Sequence, residues 1–240
     1  MILLNFSIYK AHNNFKFIIL WGIIMKKFAF VSDFDGTLTD KDFYHIVIDK
    51  YLSDWGRPFY EEWRKTKKIN VEFLNKIFGS MDRDEKEILE DIMEIPLDPY
   101  ATQFIHNVEQ NGGDFYILSA GTSYYINKLL EHLGINNVTV ISMQGIYKDR
   151  GIEIIPDKES EYYSDIFGLD KAKVIRKLKH QYNKVFFAGD SEPDMLAAKE
   201  AHYAFAKSQL QDLLKAENID FVPFSKYIEV EKYLIENRLI

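Results

Sequence analysis

The chain has 240 residues, 47% hydrophobic and 28% charged, enough apolar sequence for one or two globular cores. Thirty basic against 37 acidic residues give a net charge of −7, which argues against nucleic acid or an anionic membrane as partner, because like charges repel. There is no cysteine, hence no disulfide, thiolate nucleophile or cysteine metal site, and the six histidines form no local metal-binding pair.

Residues 1–24 stand apart. Their apolar run "FIILWGII" (17–24) is far shorter than the roughly 20 residues a membrane span needs. They also lack the basic start and small-residue cleavage site of a signal peptide. They read as a non-conforming extension, with Met25 as a natural beginning. From there short apolar runs read as strands: Phe28–Ser32, Asp114–Leu118, Val138–Ile141, Lys184–Ala188, Tyr203–Ala206 and a weak Phe221–Val222. Helical patterns separate most of them. Asp98-Pro99 starts a helix bearing Phe104, Ile105 and Val108, stopped at Gly112-Gly113. Thr122 or Ser123 caps a second, with Ile126, Leu129, Leu130 and Leu133 facing inward. Asp170 caps a third and Pro193 opens a fourth. This alternation predicts an α/β fold, a doubly wound parallel sheet covered on both faces, in which ligands bind at the carboxyl ends of strands.

Between the first two strands, residues 41–97 carry only helical patterns: Phe43/Val47/Tyr51, Phe59/Trp63, Phe73/Leu74/Ile77 and Ile88/Leu89/Ile92. The stretch is too long and too well patterned for a loop. It is expected to form a small inserted helical cap over the site, leaving residues 25–40 and 98–240 as the core.

"VSDFDGT" places Asp33 and Asp35 at the end of the first strand. In extended chain, residues i and i+2 project to one face, so both carboxylates can meet one phosphorus. One can attack as nucleophile, and the other can donate and later accept a proton. Ser119-Ala120-Gly121 ends the second strand and leads into a helix, which makes an anion site of a hydroxyl and backbone N–H groups. "GDSEPDM" brings Asp190 and Asp194 to the same edge. So many carboxylates beside an anion call for a hard cation, and all-oxygen ligation favours Mg2+. Lys171 can neutralise further charge.

These stretches, "DFDGT", Ser119, Lys171 and "GDSEPD", resemble the four motifs of the haloacid dehalogenase superfamily, in the right order from about residue 26 to the end. The resemblance implies a Rossmann-like core and a phosphatase acting through an aspartyl-phosphate. Asp33 would be the nucleophile and Asp35 the general acid/base. Asp33, Asp190 and the backbone carbonyl of Asp35 would hold Mg2+, supported by Asp194, while Thr37, Ser119, Ala120, Gly121 and Lys171 would bind phosphate.

The position of the insertion resembles the helical C1-type cap of the group that includes phosphoserine phosphatase. "FYILSAGTSYYINKLLE", "FGLDKAKVIRKLK" and "GDSEPDMLAAK" are most similar to the methionine-salvage phosphatases of 2-hydroxy-3-keto-5-methylthiopentenyl 1-phosphate. The cap Glu and Arg of phosphoserine phosphatases correspond to Asp42 and Lys76, the expected readers of the substrate's polar end. Ser-Ala-Gly replaces the usual Ser-Gly-Gly. The partner expected is therefore a small phosphorylated metabolite, met in the cytoplasm by a monomer or homodimer. A phosphotransferase or phosphomutase shares every motif. A receiver domain has its acids adjacent and lacks the insertion, and a silent binding module would have lost Asp33 or Asp35.

Overall fold

The computed structural model describes residues 26–66 and 68–240, so the extension read over residues 1–24 lies outside the described residues. The first strand, β1 (Lys26–Ser32), is buried on both faces: Phe28, Ala29, Phe30 and Val31 are all fully buried. Side chains alternate along a strand, so Phe28 and Phe30 enter one core while Ala29 and Val31 enter the other. A strand apolar on both sides belongs in the middle of a covered parallel sheet.

β1 lies there, pairing in parallel with β2 (Gly113–Thr122) and β5 (Tyr182–Gly189). Among the described residues, seven strands run in the order β4-β3-β2-β1-β5-β6-β7. β3 (Val138–Lys148) joins β2, and β6 (Tyr203–Ala206) and β7 (Val222–Pro223) extend the far side, all in parallel. β4 (Gly151–Ile155) is the exception, an antiparallel hairpin partner of β3. The sequence reading omitted this hairpin and ended the third strand at Ile141. α5 (Ala101–Gln110), α6 (Ser123–His132) and α10 (Tyr227–Glu236) supply one core, with Phe30 at the centre of an aromatic cluster of Phe104, Phe115, Phe186 and Tyr227. α7 (Lys171–Lys179), α8 (Met195–Glu200) and α9 (Ser208–Ala216) supply the other.

Two local expectations change. Asp98 does not open α5 as its cap. Its Oδ1 accepts from the Tyr100 N–H at 2.8 Å and its Oδ2 from the Tyr227 N–H at 3.3 Å, so one buried carboxylate serves two helix starts. Leu133 is not inward but 40% exposed, because α6 has ended and Leu133 is its C-cap. Thr122 and Asp170 cap α6 and α7 as expected. Pro193 sits in a short 3-10 turn, Glu192–Asp194, that precedes α8.

Between β1 and β2 stand four helices: α1 (Phe43–Tyr51), α2 (Gly56–Thr66), α3 (Val71–Phe78) and α4 (Glu85–Met93). The chain enters and leaves this insertion side by side, with a Thr39–Leu97 bridge flanked by Asp40 N–H to Pro96 O (2.8 Å) and Asp98 N–H to Leu38 O (2.9 Å). A second attachment runs to the β3–β4 hairpin. The Asn75 side chain donates to Ile154 O (3.1 Å) and accepts from Ile154 N–H (2.7 Å), and the Arg83 N–H donates to Arg150 O at 2.8 Å. Among the described residues no helix is long and apolar enough to cross a membrane.

Candidate active site

Parallel strands end at one edge of the sheet, and the loops after β1, β2 and β5 meet there. Asp33 follows β1, and its N–H donates to Ala188 O of β5 at 2.8 Å. Asp33 Oδ1 accepts from the Phe34 N–H (2.7 Å) and lies 2.7 Å from Lys171 Nζ. Lys171, the first residue of α7, is 1% exposed at its side chain and also lies 2.6 Å from Asp194 Oδ1. Asp194 Oδ2 accepts from the N–H groups of Asp190 (2.9 Å) and Ser191 (3.1 Å), which folds the loop after β5 around it. The Thr37 hydroxyl donates to Asp190 Oδ1 at 3.0 Å. Gly36 has φ +74°, and a Cβ there would stand 2.7 Å from Asp190 Oδ2, so the turn between Asp35 and Thr37 requires glycine on both counts.

Asp35 is held differently from Asp33. Its Oδ1 accepts from the Phe43 N–H at the start of α1 (3.0 Å), and its Oδ2 from the Tyr125 hydroxyl of α6 (2.5 Å). Ser119 is buried, and its Oγ accepts from the Gly121 N–H at 3.0 Å.

Burial raises the Asp33 carboxyl well above the usual carboxylate range, with the charges of Asp194 and Asp190 adding to it and Lys171 opposing. Burial likewise raises Asp35, against the Tyr125 and Phe43 hydrogen bonds. Asp190 is pushed up to about 8 by burial, then by the charges of Asp194 and Asp42. Lys171 stays cationic: burial pulls it down, but Asp194 and Asp33 outweigh that and raise it.

Asp33, Asp190 and Asp194 each offer a carboxylate oxygen, all within 4.8 Å of one another. Their oxygens are not equally available. Both Asp194 oxygens are engaged by Lys171 and by backbone, whereas Asp33 Oδ2 and Asp190 Oδ2 make no hydrogen bond among the described residues. Mutually repelling carboxylates with two unengaged oxygens fit a hard divalent cation.

The cleft above these groups encloses about 410 Å³. Asp33, Asp35, Ser119, Ala120, Gly121, Lys171 and Asp190 line it, as does Asp42 from the insertion. Thr37 and Asp194 lie just beneath, both fully buried. Asp42 is pushed up to about 7 by burial and the Asp35 charge. Lys76 is not part of the lining. α3 buries Phe73, Leu74, Ile77 and Phe78, and Lys76 lies on its exposed side with Nζ 5.4 Å from the centre of the Trp55 ring. Of the two cap arginines that come next to Lys76 as candidates, Arg57 and Arg64, only Arg64 lines the cleft, and sequence reasoning missed the other insertion residues that face it: Tyr44, His45, Tyr60 and Lys68. Arg64 donates to the Tyr60 hydroxyl at 3.1 Å, and Lys68 pairs with Glu192 at the mouth. The amphipathic patterns that located α1 and α2 carry no sign of which polar residue faces the core.

Several known proteins are similar to this chain, some in sequence and some in fold. A phosphatase of 2-hydroxy-3-keto-5-methylthiopentenyl 1-phosphate from Bacillus velezensis is 28% identical over 214 residues, covering 86% of this chain and 89% of its own. The protein of the same name from Microcystis aeruginosa is 24% identical over 88% and 99%. Among solved structures, a phospho-aspartyl intermediate analogue of phosphoserine phosphatase superposes with a TM-score of 0.64 at 21% identity, over 87% of this chain and 99% of that one. A substrate-bound phosphoserine phosphatase gives 0.65 at 20% identity, over 87% and 98%. These two structures share the fold. Residues 30–199 match the haloacid dehalogenase-like hydrolase family, which takes in Asp33 at one end and Asp194 at the other. The chain belongs to the haloacid dehalogenase-like hydrolases, a family of enzymes.

Proposed function

We propose that this hydrolase is a phosphatase of small phosphorylated metabolites, working through an aspartyl-phosphate on Asp33, with Mg2+ as its ion. What carries the reading is the convergence of Asp33, Asp35, Ser119, Lys171 and Asp190, from four separate stretches of chain, on one cleft. Asp33 attacks phosphorus while the P–O bond to the substrate breaks, and Asp35 gives its proton to the departing oxygen. Water then attacks the phosphorus, yields a proton to Asp35, and Asp33 leaves as a carboxylate. Lys171 and the Ser119–Gly121 turn offset charge on the transferring phosphoryl oxygens. Asp33 and Asp190, with the Asp35 carbonyl, would hold Mg2+, and Asp194 would act through Lys171 and the loop amides. When bound, the ion supplies charge neutralisation at the phosphoryl group.

For substrate, we favour 2-hydroxy-3-keto-5-methylthiopentenyl 1-phosphate, placing the chain in methionine salvage in the cytoplasm. The named relatives match it along nearly their whole length. Ile69, Leu74 and Phe167 offer its uncharged methylthio end an apolar lining, and His45 adds no charge there, since burial and the Arg57 charge lower it to about 4. Phosphoserine is the second reading. Arg64 offers a cation to a carboxylate, and Asp42, pushed up to about 7, offers a carboxyl acceptor to an ammonium. The four inserted helices would act as the cap that chooses between them. Phosphate release from both esters and a wider panel, with and without Mg2+, tests the proposal. Preference for phosphoserine would move the chain to the second reading, less free phosphate than ester consumed would make it a phosphotransferase, and no release from any ester would overturn the phosphatase reading.

A further inference from the structure

Tyr125 contacts the acid of this site from a direction the four motifs do not cover. It lies on α6, six residues past Ser119, and is 2% exposed although it borders the cleft. Its hydroxyl donates to Asp35 Oδ2 at 2.5 Å. Its ring is fixed by three others, with centroids 5.9 Å away at Phe34, 5.0 Å at Phe43 and 6.1 Å at Phe78. Gly121 leaves the space for this contact: a Cβ there would stand 1.8 Å from the Tyr125 oxygen and 3.0 Å from Asp35 Oδ2. The absence of a side chain at Gly121 therefore admits the tyrosine hydroxyl, besides any use of its backbone by phosphate.

Two donors thus define the Asp35 carboxyl plane, the Phe43 N–H on Oδ1 and Tyr125 on Oδ2. A carboxyl pinned at both oxygens cannot rotate about its Cβ–Cγ bond without losing one donor in a buried site. A proton donor acts only when aimed at the oxygen that takes the proton. We propose that Tyr125 is a positioning residue for the general acid, holding Asp35 in the orientation that protonates the leaving group. This rests on the reading of Asp35 as the acid given above, and it adds a residue whose loss should be felt in one half of the chemistry.

The test compares two phosphomonoesters on the same enzyme preparation, so that the fraction of folded protein cancels. An alkyl phosphate needs its leaving oxygen protonated, whereas p-nitrophenolate departs unprotonated. kcat/KM reports the steps through departure of that group. Tyr125→Phe keeps the ring among Phe34, Phe43 and Phe78 and removes only the hydroxyl. It should lower kcat/KM for the alkyl ester by roughly tenfold to a hundredfold, below the full 10²–10⁴ range of general-acid catalysis because Asp35 remains. It should change p-nitrophenyl phosphate by less than about threefold. Asp35→Asn, measured in parallel, should show the same selectivity more strongly. If Asp35→Asn is selective and Tyr125→Phe affects both esters equally, or neither, the positioning role of Tyr125 is wrong. If Asp35→Asn itself does not distinguish the esters, the assignment of the acid fails and the inference falls with it.

Discussion

Lys171 and Asp194 form an ion pair with Nζ and Oδ1 2.6 Å apart, their side chains 1% and 0% exposed. The same ammonium reaches Asp33, so a single buried cation serves two buried carboxylates. Breaking a buried pair by removing one partner strands the other charge and costs about 3–5 kcal/mol. Lys171→Met should therefore abolish turnover and also destabilise the fold at neutral pH, unlike an ordinary loss of a phosphate ligand. Urea unfolding should show that loss shrinking as pH is lowered, because the stranded Asp33, whose carboxyl burial already raises and Lys171 no longer lowers, takes up a proton in the folded state.

Asp33→Asn behaves oppositely. It removes a carboxylate that Asp194 and Asp190 repel, so stability should be kept or raised while kcat falls below about a hundredth of wild type, a barrier change near 3 kcal/mol. Phosphate release and thermal unfolding on one preparation decide both halves. More than that residual kcat would remove Asp33 from the nucleophile's place.

The acidic cluster gives the chelated protein a characteristic dependence on pH. Asp190 at about 8 and Asp42 at about 7, against an unfolded value of 3.8, keep protons in the folded state that the unfolded chain has released. Where the folded state binds more protons, stability falls as pH rises. His45 and His202, both lowered from 6.5, work in the other direction but only below that value. Between pH 6.5 and 8 the carboxyls dominate, and Tm in EDTA should drop across that window. Saturating Mg2+ should flatten the drop and restore activity lost to chelation. A flat Tm in EDTA, or activity indifferent to the chelator, would count against the cluster as a metal site.

Specificity in the insertion should follow Arg64 and not Lys76. Arg64→Ala removes a cation from the cleft and should raise KM for the preferred ester by about tenfold, the loss of one charge-assisted hydrogen bond. p-Nitrophenyl phosphate, which reaches only the core groups, should be nearly unaffected. Lys76→Ala should change neither, because its ammonium covers Trp55 on the exposed side. A selective KM effect at Lys76 would mean that α3 turns on substrate binding.

Which features the sequence disclosed follows from the range of the forces involved. β1 and the acids after it were legible because strand period and strand end are local properties, whereas Asp42 came only from the resemblance to phosphoserine phosphatases. The β3–β4 hairpin was not. Its turn residues Asp149 and Arg150 take positive φ, 48° and 64°, and arginine gives no hint of that. Tyr125 was not singled out at all, because its partner lies 90 residues away and nothing local marks a tyrosine that uses its hydroxyl. Lys76 failed for a related reason: periodicity identifies the buried side of a helix, while the opposite side can face a cleft or water with the same pattern.

The insertion is fastened to the core along two lines, the Thr39–Leu97 bridge and the Asn75–Ile154 amide pair. Two separate lines of attachment oppose the swing that a single hinge line would allow. The approach left to a ligand is the remaining side, where Lys68 meets Glu192, both roughly half exposed and so joined by a weak, solvent-screened pair. Substrate and product should then exchange past Lys68 and Glu192, with the Phe43 N–H kept on Asp35 while they pass. If Asp35 is the acid, as proposed, it should not have to be re-formed at every turnover.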